Sequence, residues 1–145
     1  QAKLEEAIEA YIKALSLKPD YADAYRNMGN ALKEQGKLEE AIEAYKNALS
    51  QKPDYAEACN NMGAVFQDQG KLEKAIEAYS KALSIKTDSA STLENLVEIL
   101  KMASSKNSQG HQVVNIDNQI KNICKKIISH LYNLVIWNSI FYSHV

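Results

Sequence analysis

Three asparagines recur at intervals of 34 residues: Asn27, Asn61 and Asn95. A carboxamide carries donors and an acceptor, so it can bridge the N–H and the C=O of a peptide backbone. A row of them would hold an extended chain with little regard for its side chains. Other polar residues fall on the same side of the same period: Arg26, Asn30, Lys33, Asn60, Glu94, Glu98 and Lys101. Simple copying of a repeat would also produce the three asparagines, and the charges would also serve solubility. At this point both readings stand.

Groups able to do covalent or metal chemistry do not converge. His111, His130 and His144 all fall in the last third. Cys124 and His130 are six residues apart, about 240° around a helix at roughly 100° per residue, so they do not share a face as metal ligands would. Cys59 and Cys124 have no CxxC partner, which suits a reducing compartment and a cytoplasmic location. Cys59 occupies the slot held elsewhere by Tyr25 and Leu93 and reads as a buried apolar thiol. Glu5-Glu6 and Glu39-Glu40 look like paired carboxylates but sit on the solvent side of their helices. Gly29, Gly36, Gly63 and Gly70 are packing or helix-end residues, and Gly110 stands alone, so no phosphate-cradling loop remains. The expectation is a chain that is not an enzyme, with no cofactor and no metal site.

Charge narrows the partners. The 145 residues carry a net charge of −1. Residues 1–100 hold 12 Lys/Arg against 17 Asp/Glu, a net of −5, and residues 101–145 hold five Lys against Asp117, a net of +4. An acidic main part argues against a nucleic-acid groove, which needs clustered Lys and Arg. There is no Asn-x-Ser/Thr acceptor, and the chain opens on a charged helical pattern with no apolar signal segment. It opens on Gln1 in mid-repeat, which reads as a fragment or a trimmed product.

The elements that must position these residues are legible from the repeat. The nonapeptide KLEEAIEAY at 3–11 returns at 37–45 and again, as KLEKAIEAY, at 71–79. A fixed period of 34 signals one supersecondary unit stacked on copies of itself. Within 22–55, the first helical pattern runs over 22–34 with Ala24, Tyr25, Met28, Ala31 and Leu32 on one stripe. The second runs over 38–51 with Leu38, Ala41, Ile42, Tyr45, Ala48 and Leu49. Asp20 with Asp23, and Asp54 with Glu57, have the spacing of capping boxes. Gly36 suits a left-handed helix end, and Pro53 stops the second helix. Gly29 lets the two helices of the unit approach, and Tyr25 and Tyr45 fill the remaining gaps.

This pattern resembles the tetratricopeptide repeat. Its aromatic-x-x-Leu-Gly opening appears as Tyr25, Met28 and Gly29, and its remainder as Ala41, Tyr45, Ala48 and Pro53. The next copy supplies Cys59, Met62, Gly63, Phe66, Ala75, Tyr79 and Ala82, departing at Cys59, where an aromatic is usual, and at Thr87, where proline is usual. The resemblance implies an all-α fold, a right-handed superhelical α-solenoid of antiparallel helix pairs, with a non-repeat C-terminal helix added. The expected organisation is the second helix of a partial repeat at 1–21, full repeats at 22–55 and 56–89, and the first helix of a degenerate repeat at 90–102. A polar linker at 103–114 and a divergent helix at 115–145 follow. In the degenerate repeat Val97 replaces the close-approach glycine, so its partner helix must sit further away or in another orientation. The divergent helix either closes the array or attaches to a partner or membrane through Leu131–Tyr142; it is too broken by Asn133, Asn138 and Ser139 to span a bilayer.

First helices line the concave side of such an array, so the resemblance turns the polar residues into a peptide groove: Asn27, Asn61 and Asn95 with Arg26, Asn30, Lys33, Asn60, Glu94 and Glu98. The asparagine ladder is similar to that of O-linked N-acetylglucosamine transferase. Arg26, Asn30 and Asn61 also match part of the carboxylate clamp of some co-chaperones. Ser91 and Asn95 stand where that clamp wants cations, and losing charge-assisted contacts removes much of the carboxylate affinity. The expected function is a non-catalytic scaffold or adaptor gripping an extended segment of another protein. The alternative is the substrate-recognition arm of a larger enzyme such as a glycosyltransferase or sulfotransferase. Self-association through the exposed helix at either end is a third expectation.

Overall fold

The computed structural model of the chain describes residues 2–107 and Lys125. The sequence-based expectations for 108–114 and, Lys125 apart, for the helix over 115–145 lie outside the described residues. Six α-helices follow one another, with no strand among the described residues: α1 (Ala2–Leu17), α2 (Ala22–Glu34), α3 (Leu38–Gln51), α4 (Ala56–Asp68), α5 (Leu72–Ile85) and α6 (Ala90–Asn107). They form an all-α helical repeat solenoid. The chain divides into two compact units, Gln1–Ile99 and Leu100–Val145, with the boundary inside α6.

Each hairpin turn follows from one glycine. Gly36 has φ +76° and Gly70 has φ +69°. Gly36 N–H donates to the Lys33 carbonyl at 2.8 Å and Lys37 N–H to the Leu32 carbonyl at 2.9 Å; Gly70 and Lys71 repeat the pair onto Gln67 and Phe66 at the same distances. These are the two bonds of a Schellman ending, which needs a left-handed residue between them. The chain therefore reverses at once, and α2 packs on α3 as α4 packs on α5.

Helix pairing rests on the close approach of backbone to ring. A Cβ added to Gly29 would lie 2.6 Å from Cε1 of Tyr45, and one added to Gly63 would lie 2.8 Å from Cδ1 of Tyr79. Both rings are buried. The core is a ribbon along the stack: Leu32, Ala41, Ile42, Ala44, Tyr45 and Val65 cluster with Ile8, Met28, Leu38, Met62 and Phe66 around them. A second cluster, Ala48, Tyr55 and Ala58 with Ala22, Tyr25 and Leu49, ties α3 to the helices on either side. Cys59 is fully buried, and burial pushes its thiol pKa up, Lys81 only partly offsetting this. By contrast α1 buries no residue, and Ile12 and Leu17 are exposed.

Two expectations about helix ends fail. The capping boxes do not form: the residues before α2 and α4 are Tyr21 and Tyr55, with no side-chain cap. Helix α2 starts at Ala22, so Asp20 is one residue too early, and a box would have to use Tyr21 and Ala24, neither of which has the group. Asp23 and Glu57 instead sit in the first turn, where a negative charge favours the helix dipole. The polar linker also begins later than expected, because α6 continues through 103–107 to Asn107. Nothing in Ala103-Ser104-Ser105-Lys106-Asn107 breaks a helix, and Ala103 is buried. Helix α6 acquires a start signal that was not foreseen: Thr92 N–H donates to Ser89 Oγ at 3.4 Å, and the two hydroxyls lie 2.8 Å apart.

Candidate functional site

The period of 34 places equivalent residues of α2, α4 and α6 in one register, and at about 100° per residue each helix gathers its polar side chains on the arc opposite its packing stripe. In α2 that arc holds Asp23, Arg26, Asn27, Asn30, Lys33 and Glu34, in α4 Glu57, Asn60, Asn61, Gln67 and Asp68, and in α6 Glu94, Asn95 and Glu98.

Side-chain bonds join these arcs into a continuous surface. Asn61 Nδ2 donates to Asn30 Oδ1 at 2.8 Å, from α4 to α2. Asn95 Nδ2 donates to Asn60 Oδ1 at 3.3 Å, from α6 to α4. Lys33 Nζ lies 3.7 Å from Asp68 Oδ2 as a part-exposed ion pair. All of the asparagines involved are half-buried.

The surface is anchored from below. The Tyr45 ring fills the space over Gly29, and its hydroxyl emerges to donate to Asn30 Oδ1 at 2.8 Å. Tyr79 does the same over Gly63, but Ala64 stands where Asn30 stood, so its hydroxyl goes to Gln67 Oε1 at 2.9 Å. Burial pushes both phenols up to about 12; Glu34 adds to the rise at Tyr45, against Arg26, and Asp68 and Glu98 add to it at Tyr79. Asn30 Oδ1 thus accepts two bonds, its full capacity, which fixes the orientation of the amide. Asn61 and Asn95 each spend one N–H and retain an N–H and an acceptor oxygen.

At the α2 end, Arg26 lies 5.7 Å from the centre of the Tyr55 ring. The Tyr55 hydroxyl donates to Asp23. Burial, then the Asp23 bond, raises the Tyr55 pKa, and Arg26 opposes this. The Nε of Arg26 is buried with no hydrogen-bond partner.

Of the residues expected to line a groove, the structure brings together Asn30 with Asn61, Asn60 with Asn95, and Lys33 with Asp68. Asn27 lies half-buried in register with Asn61 and Asn95 and is not drawn into these bonds, while Glu94 and Glu98 are exposed on α6. Lys101, also exposed, follows on α6 beyond the unit boundary. The residues sequence reasoning missed are the anchors: Tyr45 and Tyr79 through their hydroxyls, and Asp23, Tyr55, Gln67 and Asp68. A buried tyrosine almost always finds a partner for its hydroxyl, and that rule applied to the two ring positions could have found the first pair.

The surface offers oriented amides and carboxylates, which suits recognition of a polar backbone. Cys59 lies in the core, away from solvent. Among the described residues no group of His, Cys, Asp and Glu is placed to hold a metal, and no helix is long and apolar enough to cross a membrane.

Comparison with known proteins agrees with this architecture. A family model described as TPR repeat matches residues 1–36 and 29–70, and one described as Tetratricopeptide repeat matches 56–88. The first TPR of Spaghetti (RPAP3), solved bound to HSP90 peptide SRMEEVD, is similar at TM-score 0.68 and 24% identity, over 72% of this chain and 82% of that one. The first TPR domain of human RPAP3 gives 0.70 and 24%, over 76% and 87%. MamA gives 0.69 and 24%, over 91% and 71%. At these identities the likeness establishes the fold. No protein of curated function matches the sequence.

Proposed function

The chain belongs to the tetratricopeptide repeat family, and from that premise we propose that it is a protein-interaction module whose polar face on α2, α4 and α6 holds an extended segment of another protein. The observation that carries this reading is the amide-linked surface itself. Asn61 and Asn95 keep an N–H and an oxygen apiece after tying their helices together, so each can pair with both polar groups of a peptide unit. Asn27 and the Nδ2 of Asn30 extend the same pairing along α2. The likeness in fold to the first TPR of Spaghetti (RPAP3), which was solved with a peptide bound, supports a peptide ligand here.

Replacing Asn27, Asn61 and Asn95 together with alanine tests it. Helicity should survive, because removing an amide that donates to a part-exposed partner costs only about 1 kcal/mol. Affinity for an extended peptide should fall at least tenfold, since each lost backbone pairing contributes on the order of 1 kcal/mol. A triple variant that folds and binds peptide as tightly as the parent would remove the amides from the reading.

A further inference from the structure

The charge on the polar face is uneven, and it is not the charge of an acidic-tail receptor. On the arcs of α2, α4 and α6 stand six carboxylates: Asp23, Glu34, Glu57, Asp68, Glu94 and Glu98. The cations in the same register are Arg26, Lys33 and Lys101. The first two are already engaged: Arg26 lies over the Tyr55 ring beside Asp23, and Lys33 reaches Asp68. On α6, Glu94 and Glu98 are exposed one turn apart. Asn95 lies between them in sequence on the same helix, its amide tied to Asn60 on α4.

Building on the reading proposed above, we infer that the peptide this face selects carries Lys or Arg side chains, held toward α6 by Glu94 and Glu98 while its backbone pairs with Asn61 and Asn95. An acidic segment would meet five carboxylates with no ion pair among the described residues, Asp23, Glu34, Glu57, Glu94 and Glu98, and no cation on α4. Rim charges of this kind set which partner is accepted and how fast it arrives more than total affinity, and like-charge contact rejects the wrong one.

The test uses the full chain and three acetylated, amidated nonapeptides of Ser, Ala and Thr, identical except that two central positions are both Lys, both Ala or both Glu. Titration by calorimetry or fluorescence anisotropy is run at low salt and again at about 0.5 M, where the Debye length is about 4 Å. At low salt the Lys peptide should bind about fivefold tighter than the Ala peptide and the Glu peptide about fivefold weaker, as two part-exposed charge contacts give. The spread should shrink at high salt, and in the Glu94→Gln, Glu98→Gln double variant the Lys-to-Glu ratio should fall toward one. Binding of the Ala peptide with no order among the three, or with the Glu peptide tightest, overturns the charge assignment and leaves the groove intact. An unchanged ratio in the double variant removes Glu94 and Glu98 as its source. If none of the three binds, the groove reading fails and the charge assignment goes with it.

Discussion

Gly29→Ala isolates the contact on which the site is built. In an uncrowded helix interior the change is favourable, because alanine exceeds glycine in helix propensity by about 1 kcal/mol. Here the new Cβ would stand 2.6 Å from Cε1, 2.9 Å from Cδ1 and 3.0 Å from Cζ of Tyr45. The ring cannot swing away cheaply, since it is fully buried and its hydroxyl is bonded to Asn30. Overpacking a well-filled interior costs about 1–3 kcal/mol, so with the propensity gain returned the net effect is a loss of up to about 2 kcal/mol. Urea unfolding followed by far-UV circular dichroism should show a lower midpoint with an unchanged slope. The ring is the stated cause, so Tyr45→Leu should relieve it. In that background Gly29→Ala should be neutral or stabilising, a coupling on the order of 1–3 kcal/mol between residues in contact. A higher midpoint for Gly29→Ala alone, or the same cost with and without the ring, would refute the close-approach account.

The buried phenols predict alkaline behaviour with a defined sign. Tyr45 and Tyr79 are held up at about 12 against an ordinary 10, so the folded state keeps protons that the unfolded state releases. Their contribution is therefore complete below pH 10 and is lost between pH 10 and about 12, at about 1.4 kcal/mol per ring per pH unit. Absorbance at 295 nm should show Tyr45 and Tyr79, and with them the raised Tyr55, ionising late, together with unfolding; a single transition near pH 10 in protein that stays folded would contradict the burial argument. Cys59 is fully buried with its thiol pushed up. In a Cys124→Ser background it should react with a thiol reagent no faster than the core opens, and stoichiometric labelling of native protein within seconds would place it elsewhere.

The fold was legible because the repeat states each instruction more than once. The stripes of 22–34 and 38–51 coincide with α2 and α3, and Gly36 and Gly70 have the left-handed backbone their position asked for. The close approach at Gly29 and the burial of Cys59 also follow from register alone. The capping boxes misled because their spacing is correct but their phase is off by one: whether Asp20 or Tyr21 precedes the first helical residue depends on the turn through Pro19, which periodicity does not encode. The late end of α6 escaped notice because Ser and Asn suit loops without forbidding a helix. For the site, the register picked out which positions share a face, but it could not say which amides meet. The Asn30–Asn61 and Asn60–Asn95 pairs connect residues 31 and 35 apart, and neither separation is the period, so no inspection of equivalent positions would have paired them.

That mismatch bears on why the three asparagines are there at all. Had the 34-residue period been copied whole, the partner of each amide would have been copied with it, and Asn95 would meet at position 64 what Asn61 meets at position 30. Position 64 is alanine. Asn95 instead turns to Asn60, where the preceding helix has Arg26, and Tyr79 turns to Gln67 where Tyr45 had Asn30. The carboxamide is the fixed element, and different neighbours satisfy it at each joint. One N–H each of Asn61 and Asn95 ties a first helix to the one before it, a task that needs a donor and would be met by many side chains; Asn27 stands outside these bonds. The remaining N–H and oxygen are what only a carboxamide leaves over, half-exposed and held in orientation by the bond already made. A structural tie explains the donor that Asn61 and Asn95 spend, and the proposed pairing with a peptide backbone would account for the groups that they keep.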